Sequence, residues 1–302
     1  MADRVAPVSV VIAAYNAERT LGAALESALR QDPGPAEVIV VDDGSLDGTA
    51  RIAAAHPGVQ LLRQRNQGPS AARNAGIARA TQPWVAFLDA DDLWLPGKLD
   101  RQLRALERDP QAVLLAGDWV RDERAATAVP AGPVSRPGYR DVLLLNRFQT
   151  STVLVRADVL DRAGGFDPSL DGAEDWDLWL RCARLGPVLK LDVPLVVYRD
   201  EPTGYSKDLV RLYRRMLPML HREQARPRTR DTLTAGAFAQ VMAWHHLRFA
   251  VAFVLAGQHR QVGEVARELR LAGLLRHVPA ATVRHLVPFL GGRALRRLRP
   301  GA

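Results

Sequence analysis

The run Trp84-Val85-Ala86-Phe87-Leu88-Asp89-Ala90-Asp91-Asp92 passes from an apolar stretch to three carboxylates within four positions. Like charges gathered at the end of a buried strand repel one another, and a hard divalent ion with oxygen ligands is the commonest relief. Val38-Ile39-Val40-Val41 ends the same way, in Asp42-Asp43-Gly44-Ser45. Two acidic strand ends in one alternating strand and helix pattern predict a ligand cleft at the carboxyl edge of a sheet. They point to metal-dependent chemistry on a phosphorylated donor.

That alternation extends along most of the chain. Val8 to Ala13 is continuously apolar, as a strand buried on both faces is, and Asn16 is expected to cap a helix through Leu29 with Leu21, Leu25, Ala28 and Leu29 as its apolar stripe. Val38 to Val41 is the second strand; Ser45 or Asp47 would cap a short helix over Thr49 to Ala55, and Val59 to Leu62 is the third strand. Gly68-Pro69-Ser70 opens a helix to about Ala80, with Pro69 suited to its first turn, and Trp84 to Leu88 is the strand after it. Short βα units in this order predict an α/β fold with a mostly parallel sheet flanked by helices. Further on, the pattern gives a helix from Pro96 to about Glu107, strands at Val113 to Ala116 and Ser151 to Val155, and a helix from Ala173 to Leu185. Val188 to Tyr198 reads as an extended segment broken by Pro194. Between Asp118 and Asn146 the pattern weakens into loops, where substrate-specific insertions are placed.

Beyond Tyr205 only helical patterns remain, which divides the chain into an α/β domain over residues 1–205 and a helical extension over 206–302. Charge divides in the same place. Residues 205–302 hold 18 Lys and Arg against 5 Asp and Glu, whereas residues 1–204 hold 23 against 28. A basic tail suits an anionic surface such as a phospholipid leaflet or nucleic acid, and a solvated helical face explains the same composition. Phe249 to Leu255, and the segment from Arg284 to Arg299 with its Leu286, Val287, Phe289 and Leu290, are the stretches expected to lie at a membrane interface.

Leu233 to Gly257 is interrupted by His245, His246 and Arg248 and falls short of a clean spanning segment. The single cysteine, Cys182, excludes an internal disulfide framework and fits a reducing, cytoplasmic setting. Asp3 and Arg4 before the first apolar run, and a helical pattern straight after it, make that run a strand rather than a signal peptide. His245-His246 has no acidic neighbour in an apolar helical stretch, which makes it a poor zinc site.

In Asp89-Ala90-Asp91 the period of a strand puts both carboxylates on one side, so Asp89 is placed for a ligand hydroxyl and Asp91 for a metal, while Asp92 can cap the next element. In Asp42-Asp43-Gly44-Ser45 one carboxylate has turn chemistry to do, and the other can accept from the ring N–H of a nucleotide base. Tyr15, ending the first strand, is placed to stack on that base. Trp176 and Trp179 share a helix face; core packing is the default, and a tryptophan at a cleft rim would stack on an acceptor sugar. Asp177 and Arg181 have the spacing of a helix-surface ion pair.

These motifs together resemble one family. Val8-Ser9-Val10-Val11-Ile12 with Tyr15-Asn16, Val40 to Ser45, Gly68-Pro69-Ser70-Ala71-Ala72-Arg73-Asn74, Phe87 to Asp92, Gly164-Gly165-Phe166-Asp167 and Glu174-Asp175-Trp176-Asp177-Leu178-Trp179-Leu180-Arg181 occur in the order seen in family 2 glycosyltransferases of the GT-A fold. The likeness covers residues 7 to about 206. It implies inverting transfer of a sugar from a nucleoside diphosphate sugar, UDP first, to a hydroxyl of a glycan or lipid-linked acceptor, with Mn²⁺ or Mg²⁺ on the diphosphate and no nucleic acid partner.

Position by position, the resemblance makes Asp43 the base-binding aspartate and Asp42 its structural neighbour. Asp89 becomes the sugar or ribose contact, Asp91 the metal ligand, Arg73 an aid to the departing diphosphate and Asp175 the general base. Glu174, Trp176 and Arg199 are candidates for acceptor or loop contacts. Many relatives carry a histidine shortly after the segment corresponding to Tyr198-Arg199; here Asp200 and Glu201 stand instead, which leaves the third metal ligand open. A non-catalytic nucleotide- or glycan-binding module and a nucleotidyltransferase are the competing readings. The second expects a Gly-rich phosphate loop after the first strand, and Ala13-Ala14-Tyr15-Asn16 is not one.

Overall fold

In the first half of the chain strands β1 (Val5–Ala14), β2 (Gly34–Asp42), β3 (Val59–Arg63) and β4 (Trp84–Phe87) alternate with helices α1 (Leu21–Leu29), α2 (Thr49–Ala54) and α3 (Pro69–Arg79). A computed structural model describes residues 5–122, 124, 132–170, 172–199, 208–226 and 233–282. After β4 come β5 (Leu93–Trp94), α4 (Lys98–Arg108), β6 (Leu114–Val120), β7 (Val134–Ser135), α5 (Tyr139–Leu144), β8 (Leu154–Arg156), α6 (Ala157–Ala163), α7 (Glu174–Ala183) and β9 (Val188–Val197). The remainder is helical: α8 (Leu209–Ala225), α9 (Ala235–Leu255), α10 (His259–Leu271) and α11 (Val278–Ala281).

The continuous apolar runs become the parallel half of the sheet, in spatial order β3-β2-β1-β4. Val8, Val10, Ile12, Val38 and Val40 face Leu21, Leu25 and Ala28 of α1 on one side of it. Each fully buried aliphatic side chain of this kind contributes about 1.5–3 kcal/mol. On the other side α3 lies so close that a Cβ at Gly76 would overlap the Val11 side chain.

Beyond β4 the sheet is mixed. β8 runs antiparallel to both β4 and β6, β6 is parallel to β9, and β5 and β7 pair antiparallel with β9. The antiparallel β8 matters for the site, because it sets the segment before it, Thr150–Thr152, beside the acidic end of β4. Pro194 does not break β9, which runs through it. The proline has no N–H to give, and the ladder accommodates it with register shifts on either side of Asp118, its partner on β6.

Local signals misplace some ends. Asn16 does not cap α1, which starts at Leu21. Its φ of 49° is left-handed, unlike the extended backbone of an N-cap, and its Oδ1 accepts instead from the Leu46 N–H at 2.9 Å. Short elements β5, β7, α5 and α6 have no periodicity long enough to read.

The chain forms two compact units, Met1–Gly138 with Asn146–Pro202, and Tyr139–Leu145 with Thr203–Ala302. The division into contiguous stretches expected from sequence therefore needs one change: the α5 segment belongs with the later helices. Its bonds explain why. Tyr139 Oη donates to Glu223 at 2.8 Å, Trp244 Nε1 donates to the Leu144 carbonyl at 3.1 Å, and the His245 ring lies 2.9 Å from the Leu143 carbonyl.

His246 pairs with the Tyr213 hydroxyl at 2.7 Å, and burial pushes its imidazole down to about 4. Phe249 and Phe253 pack on the Tyr213 ring at 5.2 and 5.7 Å, so these members of the Phe249 to Leu255 stretch serve the helical core rather than a lipid face. α9 is long and apolar enough to cross a membrane, with half of the relevant window buried inside the protein. The Arg284 to Arg299 segment, Asp200 and Glu201 lie outside the described residues.

Candidate active site

The loops after β1 and β2 are tied together by their own polar side chains. Asn16, Ala17 and Glu18 donate backbone N–H groups to Ser45 Oγ, Thr49 Oγ1 and Asp47 Oδ2 at 2.9, 2.7 and 3.1 Å. Buried Asp42 accepts from the Ser45 N–H at 2.9 Å and from Arg63 at 3.1 Å, which is the turn chemistry expected of one member of the pair. Asp43 accepts from Gln64 Nε2, the Gln67 N–H and the Gly68 N–H at 2.8, 2.9 and 2.8 Å. A carboxylate offers about four lone-pair sites, so Asp43 braces the 64–68 loop and keeps capacity for one more donor. Tyr15, at the mouth of these loops, is 49% exposed, with a ring face available for stacking.

The end of β4 is wired differently. Arg73, projecting from α3, donates to Asp89 at 2.7 Å and to Glu174 at 3.2 Å, and its guanidinium lies 5.3 Å from the centre of the Phe166 ring. The side chain is only 11% exposed. Burial works against its charge, but Asp89 and Glu174 more than offset this and hold the guanidinium protonated.

Asp92 is fully buried and accepts from Ser151 Oγ and Gln149 Nε2, both at 2.6 Å, and from the Arg199 N–H at 3.1 Å. It joins three segments rather than capping a helix. Burial, with the charges of Asp89 and Asp91 added, pushes its carboxyl up to about 7. Ser151 also accepts from the Asp89 N–H at 3.0 Å. Asp91 is half-buried beside them.

The third part is the start of α7. Gly164 and Gly165 both have positive φ, and a Cβ at Gly165 would sit 2.5 Å from Asn74 Oδ1. Asn74 uses that approach to hold the loop, accepting from the Phe166 N–H and donating to the Phe166 carbonyl, both at 2.8 Å. Phe166, Phe87 and Trp179 pack with ring centres 5.2 to 6.1 Å apart, a buried floor under Arg73.

On this floor Glu174 accepts from the Gly172 N–H at 2.6 Å as well as from Arg73, and Asp175 accepts from Asn146 Nδ2 at 3.0 Å. Burial, then repulsion from Glu174, pushes the Asp175 carboxyl up to about 7, against the opposing pull of Asn146, the Trp176 N–H and Arg73. A carboxylate near 7 is matched to taking a proton at neutral pH. Trp176 is 6% exposed, which leaves little ring for a sugar. Asp177 and Arg181 pair at 2.6 Å in the interior, not on the surface, and Arg181 also donates to the Ala163 carbonyl of α6.

The structure thus brings Arg73, Asp89 and Glu174 into contact, with Asp91 and Asp175 adjoining them in sequence, and places Asp43 and Tyr15 on the neighbouring strand ends. Sequence reasoning missed Gln149 and Ser151, which arrive through the β8 pairing, and Asn146, which meets Asp175. Among the described residues no three His, Cys, Asp or Glu side chains are grouped to hold a metal by themselves. Carboxylates are the donor set that Mg²⁺ and Mn²⁺ prefer, and such ions are commonly held by one or two carboxylates plus substrate phosphates. Asp91, with Asp89 two residues away, fits that manner of binding.

A family model described as Glycosyl transferase family 2 matches residues 9–154. The amylovoran biosynthesis glycosyltransferase AmsE of Erwinia amylovora is 31% identical over 229 residues, covering 70% of this chain and 86% of AmsE. The Escherichia coli protein WfaP, a UDP-Glc:alpha-D-GlcNAc-diphosphoundecaprenol beta-1,3-glucosyltransferase, is 31% identical over 185 residues, covering 59% of this chain and 71% of WfaP. Two other curated relatives are matched over only 30% and 64% of their own length.

Among solved structures, S. aureus TarS 1–349 in complex with UDP-GlcNAc superposes with a TM-score of 0.64 at 20% identity, over 82% of this chain and 73% of that one. The mannosyltransferase PcManGT from Pyrobaculum calidifontis, in complex with GDP-Man and Mn²⁺, gives 0.59 at 20% identity, over 93% and 87%. At that identity the likeness is one of fold, the sheet flanked by helices of the GT-A glycosyltransferases.

Proposed function

The chain belongs to glycosyl transferase family 2, and on that premise we propose that it transfers a sugar, with inversion, from a UDP sugar to a hydroxyl of a saccharide acceptor, free or lipid-linked. The observation that carries this reading is the Arg73 bridge. One guanidinium bonds both Asp89, at the end of β4, and Glu174, which opens α7 beside the candidate base Asp175, at 2.7 and 3.2 Å, and so ties the donor-side carboxylate to the helix start that carries the base.

In this reading Tyr15 stacks on the base and Asp43 accepts from its ring N–H, while Asp89 takes a hydroxyl of the donor. Asp91 would hold a divalent ion, Mn²⁺ or Mg²⁺, which supplies positive charge to the departing diphosphate. Asp175 takes the proton from the acceptor hydroxyl as that oxygen attacks the anomeric carbon. Its raised pKa suits the task, and the Asn146 bond aims it. Arg73 holds Glu174 and Asp89 in place without itself giving up a proton. Glu174, Trp176 and Arg199 have supporting roles: the first through Arg73, the second by packing, the third through its N–H on Asp92.

The named activities of AmsE and WfaP support a polysaccharide or lipid-linked acceptor. The 18 basic against 5 acidic residues of 205–302 support an anionic membrane surface nearby. A screen of the full chain against nucleotide sugars, scoring release of the nucleotide with and without Mn²⁺, tests the proposal. A UDP sugar consumed only with the ion supports it, and no nucleotide released from any donor defeats it. Sedimentation with anionic and with neutral liposomes tests the membrane clause: equal sedimentation with both removes it.

A further inference from the structure

Trp119 stands at the carboxyl end of β6 and is 39% exposed, whereas Trp94, Trp176, Trp179 and Trp244 are buried. Its ring lies 5.2 Å from that of Tyr198, tilted by 58°, and the Arg121 guanidinium stands 5.8 Å from its centre. The placement follows from the sheet: β6 and β9 run parallel, Trp119 is in register with Val196, and the Tyr198 N–H donates to the Val120 carbonyl at 2.8 Å. The next residue, Arg199, gives its N–H to Asp92, which shares Ser151 with Asp89. The aromatic pair is therefore joined by backbone to the acidic end of β4, at the strand edge where α/β sheets take ligands.

We propose that Trp119, backed by Tyr198 and edged by Arg121, is a saccharide subsite that receives a pyranose ring of the acceptor. This rests on the reading of the chain as a glycosyltransferase. The apolar C–H face of a pyranose suits an aromatic plane, and the guanidinium supplies donors to the ring's hydroxyls. An exposed tryptophan alone is ordinary. A tilted aromatic pair with a cation beside it, at the same edge of the sheet as the acids of β4 and two strands along from them, is what an acceptor needs to be held while its hydroxyl is presented to Asp175. The role that sequence gave to a rim tryptophan thus passes from buried Trp176 to Trp119.

The test uses the full chain and a panel of soluble oligosaccharides ending in glucose, galactose or N-acetylglucosamine, titrated by tryptophan fluorescence and saturation-transfer NMR. UDP with Mn²⁺ is titrated in parallel. The parent is expected to bind at least one oligosaccharide, Trp119→Ala to bind it about tenfold more weakly, and both to bind UDP equally. Trp119→Leu, which keeps an apolar contact for Tyr198 but has no aromatic face, should show the same loss, and Trp119→Phe should recover most of the affinity. Unchanged oligosaccharide binding in the Ala and Leu variants, or no binding of any panel member by the parent, overturns the subsite. Failure of the parent to bind UDP would count against the transferase reading instead, since the oligosaccharide titration judges the subsite without a donor.

Discussion

Two strands of this protein end in paired acids, each with an arginine bonded to one of them, yet the two ends are built for different work. At the end of β2 the arginine is Arg63, 64% exposed; Asp42 otherwise takes a donor from its own loop, and Asp43 takes its donors from the adjoining 64–68 loop. At the end of β4 it is Arg73, 11% exposed, and the bonds of the acids run outward to α7, to the segment before β8 and to Arg199. Acids satisfied by neighbouring backbone shape a loop. Acids that bond distant segments through buried charge assemble a site, and the cost of burying them appears in the raised pKa values of Asp92 and Asp175.

The largest effect should come from the chemical end of the second group. Asp175→Asn keeps the size and accepts from Asn146, but it has no base to offer, so turnover should fall by roughly two to four orders of magnitude while donor affinity stays level. In the parent, turnover should rise with pH through about 7, as that carboxyl loses its proton. Steady-state kinetics over pH 5 to 9 reads both; unchanged turnover in the variant removes Asp175 from the mechanism.

Removing the buried bridge comes next. Arg73→Met leaves Asp89 and Glu174 without their cation in a crowded acidic site, a loss of about 3 kcal/mol by urea denaturation at neutral pH. Since the penalty is repulsion between carboxylates, it should shrink as the pH is lowered. A penalty that does not depend on pH would mean that packing on Phe166 is what Arg73 supplies. Gly165→Ala should cost about 1–3 kcal/mol, through its positive φ and the crowding of Asn74. The first strand end gives the smallest effect: Arg63→Ala should cost roughly 0.5 kcal/mol, because that ion pair is open to solvent on one side. Equal costs for Arg63 and Arg73 would erase the distinction between the two ends.

Stability should also depend on pH in a particular direction. Asp92 and Asp175 are raised from 3.8 to about 7 in the folded protein. Between those values the native state holds protons that the unfolded chain has lost, so their contribution to stability is full below about pH 4 and lost as the pH rises through about 7. Asp175→Asn should flatten part of that fall, measured as Tm against pH.

The same contrast explains what could be read from the amino-acid sequence. Asp42, Asp43, Asp89 and Asp91 come directly after apolar runs, and Arg73 and Asp175 lie in local motifs, so their neighbourhoods were legible residue by residue. Gln149 and Ser151 were not, because β8 carries them to the end of β4 through an antiparallel pairing about seventy residues apart in sequence, with no local pattern to announce it, and Asn146 was not, because it meets Asp175 of α7 across a stretch of weak pattern. Nor was the joining of Tyr139–Leu145 to the late helices, which depends on Tyr139 finding Glu223. Burial was the other blind spot. A spacing of four between Asp177 and Arg181 predicts a pair but not which side of the helix it occupies.

The proposed function requires that the acids ending β4 hold a nucleotide through a divalent ion, while those ending β2 shape the loop around it and, through Asp43, receive its base. Calorimetric titration of UDP into the full chain, with and without Mn²⁺, compared with Asp91→Ala, tests it most directly. Mn²⁺ should tighten UDP binding by the parent at least tenfold, and Asp91→Ala should fold normally but lose this dependence. A variant that binds UDP and Mn²⁺ as the parent does would contradict it.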